Sequence, residues 1–146
     1  VKLLDSNIWL ALAFPAHDSH TAAVEWLKTQ SRDSRLLFCR STQQSVLRLL
    51  TTAAVHAPLG DQPLTNMEAW SVVEGFLANP RIALAPEPSG LETHWKRFAA
   101  TSTTSPKLWM DAYLAAFAAA GGYTLVTTDR AFRQFDGIEL VLLERG

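Results

Sequence analysis

Apolar residues recur along this chain in two alternating rhythms. Five short unbroken runs have the length of buried strands: VKLL at 1–4, RLLFC at 35–39, RIAL at 81–84, YTLVT at 123–127 and IELVLL at 138–143. Between them the apolar positions return every three or four residues, the spacing of one helix face. The first such stretch runs over about 7–14 and stops near Pro15. The second covers about 19–30, with Ala23, Trp26 and Leu27 on one face, and the third about 42–54, with Val46, Leu47, Leu50 and Ala54 turned inward. Thr65 with Glu68, and Ser89 with Glu92, have capping-box spacing and open helices that reach about 78 and 100. Ser105-Pro106 starts a last helix, with proline suited to its first position, and Gly121-Gly122 ends it.

Strands separated by helical crossovers call for a parallel sheet covered on both faces. The expected fold is therefore α/β, a three-layer α/β/α sandwich with a central five-stranded parallel sheet. Internal repeats, domain linkers and long charge blocks are absent from the sequence, and the loops HAPLGDQPL, APEPSG and TSTTS are short. One domain over 1–146 is expected.

Composition changes this picture little. With 146 residues, 48% of them hydrophobic, the chain can bury one substantial core. A formal net charge of -1 offers no overall basic field for nucleic acid, although a local groove of Arg and Lys can be balanced elsewhere. The single cysteine, Cys39, lies in an apolar run and reads as a small buried residue. No apolar run is long enough to span a bilayer, and the N-terminus lacks a signal-peptide layout, so a soluble, cytoplasmic protein with no membrane partner is expected.

The candidate chemistry begins with Asp111, a carboxylate in the apolar helical run LWMDAYLAAFAAA. At helical spacing it shares a stripe with Leu108, Leu114, Ala115 and Ala118, the stripe expected to face a core. Removing one ion from water costs several kcal/mol even after relaxation, so Asp111 must sit at a cleft edge, meet a cation or hold its proton. Asp5 ends the first apolar run and Asp129 follows the fourth, which places both at carboxyl ends of strands, where open α/β sheets bind ligands. Each of these two also reads as the cap of the helix that follows. Three acids directed to one edge suit a hard divalent cation, Mg²⁺ or Mn²⁺, able to polarise a phosphoryl oxygen and lower the pKa of water.

Four segments in order, LLDSNIWLAL, STQQSVLRLLT, LWMDAYLAAFA and LVTTDRAF, resemble the PIN domain, and specifically the VapC-type toxins of bacterial toxin–antitoxin pairs. HTAAVEWL, with His20 and Trp26, is similar to the second helix of one VapC group. The resemblance spans nearly the whole chain. It implies a Mg²⁺- or Mn²⁺-dependent endoribonuclease that cuts structured RNA such as tRNA or rRNA. It also implies a homodimer silenced by a VapB-type antitoxin that inserts residues over the acidic groove. Asp5, Asp111 and Asp129 match the family's acidic positions, and Asn7 and Thr127 match polar ones that orient ligands or water. Gln43 departs from the pattern, standing where the family more commonly has an acid. Its amide oxygen can still coordinate a metal but adds no charge, so weaker metal affinity is expected.

On this reading Asp5 and Asp129 bind the metal, Asp111 binds it or holds the attacking water, and Thr127, Gln43 and Asn7 complete the surroundings. Arg40, Arg48, Lys107, Arg130 and Arg133 are candidates for phosphate contacts, each also readable as ordinary solvated surface. Arg48 has a third reading, a structural ion pair. Among five tryptophans, Trp9 and Trp109 adjoin the aspartate motifs and suit base stacking or packing, with packing favoured. His17 and His20 read as surface or capping residues, and His56 and His94 carry no signal. A catalytically weak RNA- or antitoxin-binding module is the main alternative. An aspartate-nucleophile phosphatase is disfavoured, because such an enzyme wants a second acid where this chain has Asn7.

Overall fold

A computed structural model describes residues 1–144. The five apolar runs form β1 (Lys2–Leu4), β2 (Leu36–Phe38), β3 (Ile82–Leu84), β4 (Thr124–Thr127) and β5 (Glu139–Leu142), all parallel, in the order β3-β2-β1-β4-β5. Among the described residues seven α-helices accompany them: α1 (Ser6–Ala13), α2 (His20–Thr29), α3 (Arg40–Leu50), α4 (Ala53–His56), α5 (Asn66–Leu77), α6 (Leu91–Ala99) and α7 (Leu108–Gly121). Successive side chains of a strand point to opposite faces, and the core divides accordingly. Leu3, Leu37 and Leu125 pack with α6 and α7 through Phe98, Leu114 and Phe117. Leu4, Leu36, Phe38 and Val126 pack on the other face with Ile8, Val46, Leu50 and Val73. The three-layer arrangement follows from that alternation.

Three helix ends differ from the sequence reading, each for a local reason. α3 stops at Leu50 rather than near Ala54, because the Thr51 and Thr52 hydroxyls donate to the carbonyls of Leu47 (3.1 Å) and Arg48 (2.6 Å). The chain resumes as α4 and a 3₁₀ turn, Ala57–Leu59. Before α6, Gly90 takes the left-handed conformation at φ 81° and acts as N-cap, so Ser89 and Glu92 form no capping box. α7 begins at Leu108, not Pro106; the Leu108 N–H closes a turn onto the Ser105 carbonyl at 3.1 Å. The Thr65–Glu68 box does form, with reciprocal bonds of 3.0 and 3.2 Å.

Trp9 is fully buried and stacked on Phe38, with ring centroids 3.9 Å apart and planes 6° from parallel. It belongs to the core and offers no face to a base. His56 is also fully buried: its Nε2–H donates to the Leu50 carbonyl at 2.8 Å and its ring meets Phe14 edge-on. That role had no sequence signal, because it depends on the chain turning back after α3.

Candidate active site

The strand order places β2 and β4 on either side of β1, and the winding of the chain reverses between β1 and β4. A crevice opens at such a reversal, beyond the carboxyl ends of the strands. Register puts Leu4 opposite Val126, so the next residues, Asp5 and Thr127, meet at the mouth of this crevice. The Asp5 N–H donates to the Val126 carbonyl at 2.9 Å, continuing the ladder into the site.

Thr127 joins two of the three acids. Its buried hydroxyl donates to Asp5 Oδ2 at 2.7 Å and accepts from the Asp129 N–H at 3.0 Å. Asp5 Oδ1 accepts from the Ser6 N–H at 2.8 Å and the Ser6 hydroxyl at 3.3 Å, and Asp129 Oδ1 accepts from the Ala131 N–H at 2.9 Å. Asp5 caps α1 and Asp129 caps the 3₁₀ turn Arg130–Gln134, so both acids have a capping role at this edge. A carboxylate has about four lone-pair sites, which leaves room for a further partner.

Asp111 reaches the same edge from α7. Its helix is buried on several sides from Ala112 onward, but the first turn projects, with Trp109 and Met110 more than half exposed. Asp111 therefore lies half-buried where the helix leaves the core. Burial raises its carboxyl pKa above the ordinary value, the negative charges of Asp129 and Asp5 raise it further, and Lys107 draws it back down. Burial also raises Asp5, against the lowering effect of its bonds from Thr127 and Ser6, with the Asp129 charge adding to the rise. The three acids thus share one negative field.

Two grooves flank Asp129. One, of about 520 Å³, is lined by Lys107, Met110, Asp111, Asp129 and Gln134 among others. The second, of about 550 Å³, runs past Asn7, Thr128, Asp129, Arg130 and the end of β5. Lys107, Arg130 and Asn7 thereby stand beside the acids, while Arg133 is exposed on the 3₁₀ turn. Arg48 does not join them. It is eight residues along α3 from Arg40, about 12 Å at 1.5 Å per residue, in a shallow groove with Trp70 and Asn66. It forms no ion pair with a described residue either.

Gln43 is buried in the first turn of α3, and its amide oxygen accepts a hydrogen bond from the Arg40 guanidinium. Arg40 lines a third groove of about 340 Å³ with Glu87, Tyr113 and Phe117. There the Tyr113 hydroxyl donates to Glu87 at 3.0 Å; burial first, then this carboxylate, hold the phenol well above its usual pKa. Glu87 escaped notice in the sequence, although like Asp129 it is an acid just beyond an apolar strand run. His17 accepts from the Ser19 N–H and the His20 ring bonds the Ala11 carbonyl, in keeping with local capping roles. Trp109 is exposed, and its carbonyl accepts from the Trp95 indole at 2.9 Å. Cys39 is buried, as expected. No helix among the described residues is long and apolar enough to cross a membrane.

The fold and this acidic edge define a PIN domain. The sequence model of that family matches residues 2–138, and the chain belongs to it. It is 54% identical over 144 residues to Ribonuclease VapC41 of Mycobacterium tuberculosis, an alignment covering 98% of this chain and 99% of that protein. Among solved structures, VapBC2 from Rickettsia felis, bound to a DNA fragment from its promoter, matches with a TM-score of 0.69 at 12% identity, over 98% of each chain. VapBC-1 from nontypeable Haemophilus influenzae matches with a TM-score of 0.67 at 14% identity, over 97% of this chain and 96% of that one. These two likenesses speak for the fold.

Proposed function

We infer that this protein is a VapC-type toxin, an endoribonuclease that hydrolyses phosphodiester bonds in structured RNA such as tRNA or rRNA. The observation that carries the reading is the chain Asp5–Thr127–Asp129 at the strand reversal, with Asp111 in the same electrostatic field, in a sequence 54% identical to a ribonuclease. Its partners on this reading are the RNA, a VapB-type antitoxin and a second copy of the chain.

The cofactor we propose is Mg²⁺ or Mn²⁺. The donors are all oxygen, as a hard cation requires, and the mutual repulsion of the acids is relieved by an added positive charge. Among the described residues no three His, Cys, Asp or Glu side chains form a ready-made cage. An ion of this class keeps several waters and takes only one or two carboxylates. Asp5 and Asp129 would hold it. When bound it supplies positive charge against the developing charge on the phosphoryl oxygens.

The other roles belong to the side chains. Thr127 fixes the Asp5 carboxylate against the Asp129 loop. Asp111, with its raised pKa, holds the attacking water and takes its proton; a base nearer the working pH releases and accepts protons more readily. Lys107 and Arg130 hold the RNA phosphates beside the acids, and Asn7 orients the groups in its groove. Asp5→Ala and Asp111→Asn should abolish Mn²⁺-dependent cutting of total tRNA with the fold intact. Undiminished cutting by either folded variant, free of contaminating nuclease, refutes the site. A second reading, a binding module without effective chemistry, draws on the neutral Gln43 corner. Absence of cutting by the wild-type protein at any metal level selects it.

A further inference from the structure

The resemblance puts Gln43 where an acid would complete a four-carboxylate site, and its oxygen already receives a cation from within the chain. The register of the sheet puts this corner beside the acids. Leu3 pairs with Leu37, so Cys39 lies opposite Asp5, and Arg40 opens α3 directly after it. Adjacent strands are about 4.8 Å apart, so a phosphodiester chain laid across the strand ends at Asp5 also passes Arg40. Gln43 is 5% exposed, while Arg40 is an exposed residue whose guanidinium is tethered to the buried amide.

Charge decides what such a pair can bind. A carboxylate at position 43 would neutralise Arg40, whereas an amide oxygen holds the guanidinium and leaves its full charge. The same oxygen is a poor ligand for a divalent cation, because the ion would approach a group already occupied by a positive charge. Glu87, the acid in the Arg40 groove, accepts a hydrogen bond from Tyr113. We propose that the Gln43–Arg40 pair is an RNA phosphate-binding subsite: Arg40 contacts the phosphate next to the scissile one, and Gln43 is its positioning residue rather than a metal ligand. The proposal rests on the ribonuclease reading and alters its fourth corner from cation binding to anion binding.

Two measurements on the full chain test it, both independent of cleavage. The first is binding of a fluorescent single-stranded oligoribonucleotide in EDTA across a salt series. Arg40→Ala should weaken binding at low salt by about five- to tenfold and reduce the magnitude of the log–log salt slope by about 0.7, the value for one lost phosphate contact on a single strand. Gln43→Glu should lose the same slope increment by neutralising Arg40, and Gln43→Ala should weaken binding with the slope retained. The second is Mn²⁺ binding without RNA, by electron paramagnetic resonance, which Gln43→Ala should leave unchanged. Arg40→Ala is a surface change and should fold; melting curves check the two variants at the buried position. A wild-type salt slope in Arg40→Ala, or severalfold weaker Mn²⁺ binding in Gln43→Ala, overturns the subsite alone. Failure of the wild-type protein to bind RNA in this assay, with Mn²⁺-dependent cutting of tRNA intact, overturns the subsite alone; failure of both overturns the ribonuclease reading with it.

Discussion

Replacing Thr127 by valine removes the hydroxyl that ties Asp5 to Asp129 and changes almost nothing else in shape. Thr127 is fully buried, so no water replaces the lost group. The bond to Asp5 Oδ2, 2.7 Å long, is worth about 1.5–3 kcal/mol while the carboxylate is ionised. Asp129 is only partly buried, so its freed N–H can recover some hydration and adds a smaller cost. The expected total is about 2–3 kcal/mol, or roughly 6–10 °C in Tm for a domain of this size. Urea denaturation at neutral pH should show a lower midpoint with an unchanged m value. Thr127→Ser keeps the hydroxyl and should lose only about 1 kcal/mol, for one buried methyl.

The pH dependence of that deficit has a definite sign. Asp5 has a raised pKa in the folded state, and the Thr127 bond, ahead of those from Ser6, limits the rise, so the variant's Asp5 is raised further. A raised carboxyl contributes stability below its unfolded pKa and loses it as pH climbs through the folded one. The Thr127→Val deficit is therefore largest at neutral pH and shrinks as the pH falls into the carboxylate range and Asp5 protonates in both proteins. A variant within about 0.5 kcal/mol of wild type at neutral pH, or a deficit that grows on acidification, refutes the reasoning.

Asp111→Asn should stabilise the metal-free protein at neutral pH, since its pKa is raised by burial and by two neighbouring negative charges; the gain should fade as the pH falls through the raised carboxyl pKa and be gone below the ordinary carboxylate value. Thermal melts in EDTA measure this, and a lower melting temperature at neutral pH would show instead that the charge is held by a favourable partner. Trp9→Ala empties a site stacked on Phe38 and should cost about 3–5 kcal/mol by urea denaturation; a cost under about 1 kcal/mol would contradict its place in the core. Gly122→Ala imposes a side chain on a residue at φ 68° that ends α7, and should cost about 1 kcal/mol with cleavage unaffected.

The strands and most helices were legible because their signals are local. A run such as LVT between helical stretches has few options but a buried parallel strand, and Asp111 stands out on any helical wheel. The missed helix ends were local too, but depended on competing side-chain bonds: the Thr51 and Thr52 hydroxyls draw on α3's last carbonyls, and Gly90 takes the cap that Ser89 and Glu92 were expected to form. Arg48 was expected near the acidic edge but lies farther along α3, in a groove with Asn66 and Trp70, because sequence spacing does not say which end of a helix lies at the sheet edge.

By itself the sequence determined the layered α/β fold and named the acids, since periodicity and an ion on an apolar helix are properties of neighbouring residues. Tertiary structure alone decided how those acids meet. The strand order β3-β2-β1-β4-β5 brings Thr127 to Asp5 across 122 positions of chain. The same order sets Arg40 and Gln43 one strand away from Asp5. A hydroxyl shared by two acids and an arginine held by an amide depend on distance and direction in space, and no spacing along the chain encodes either.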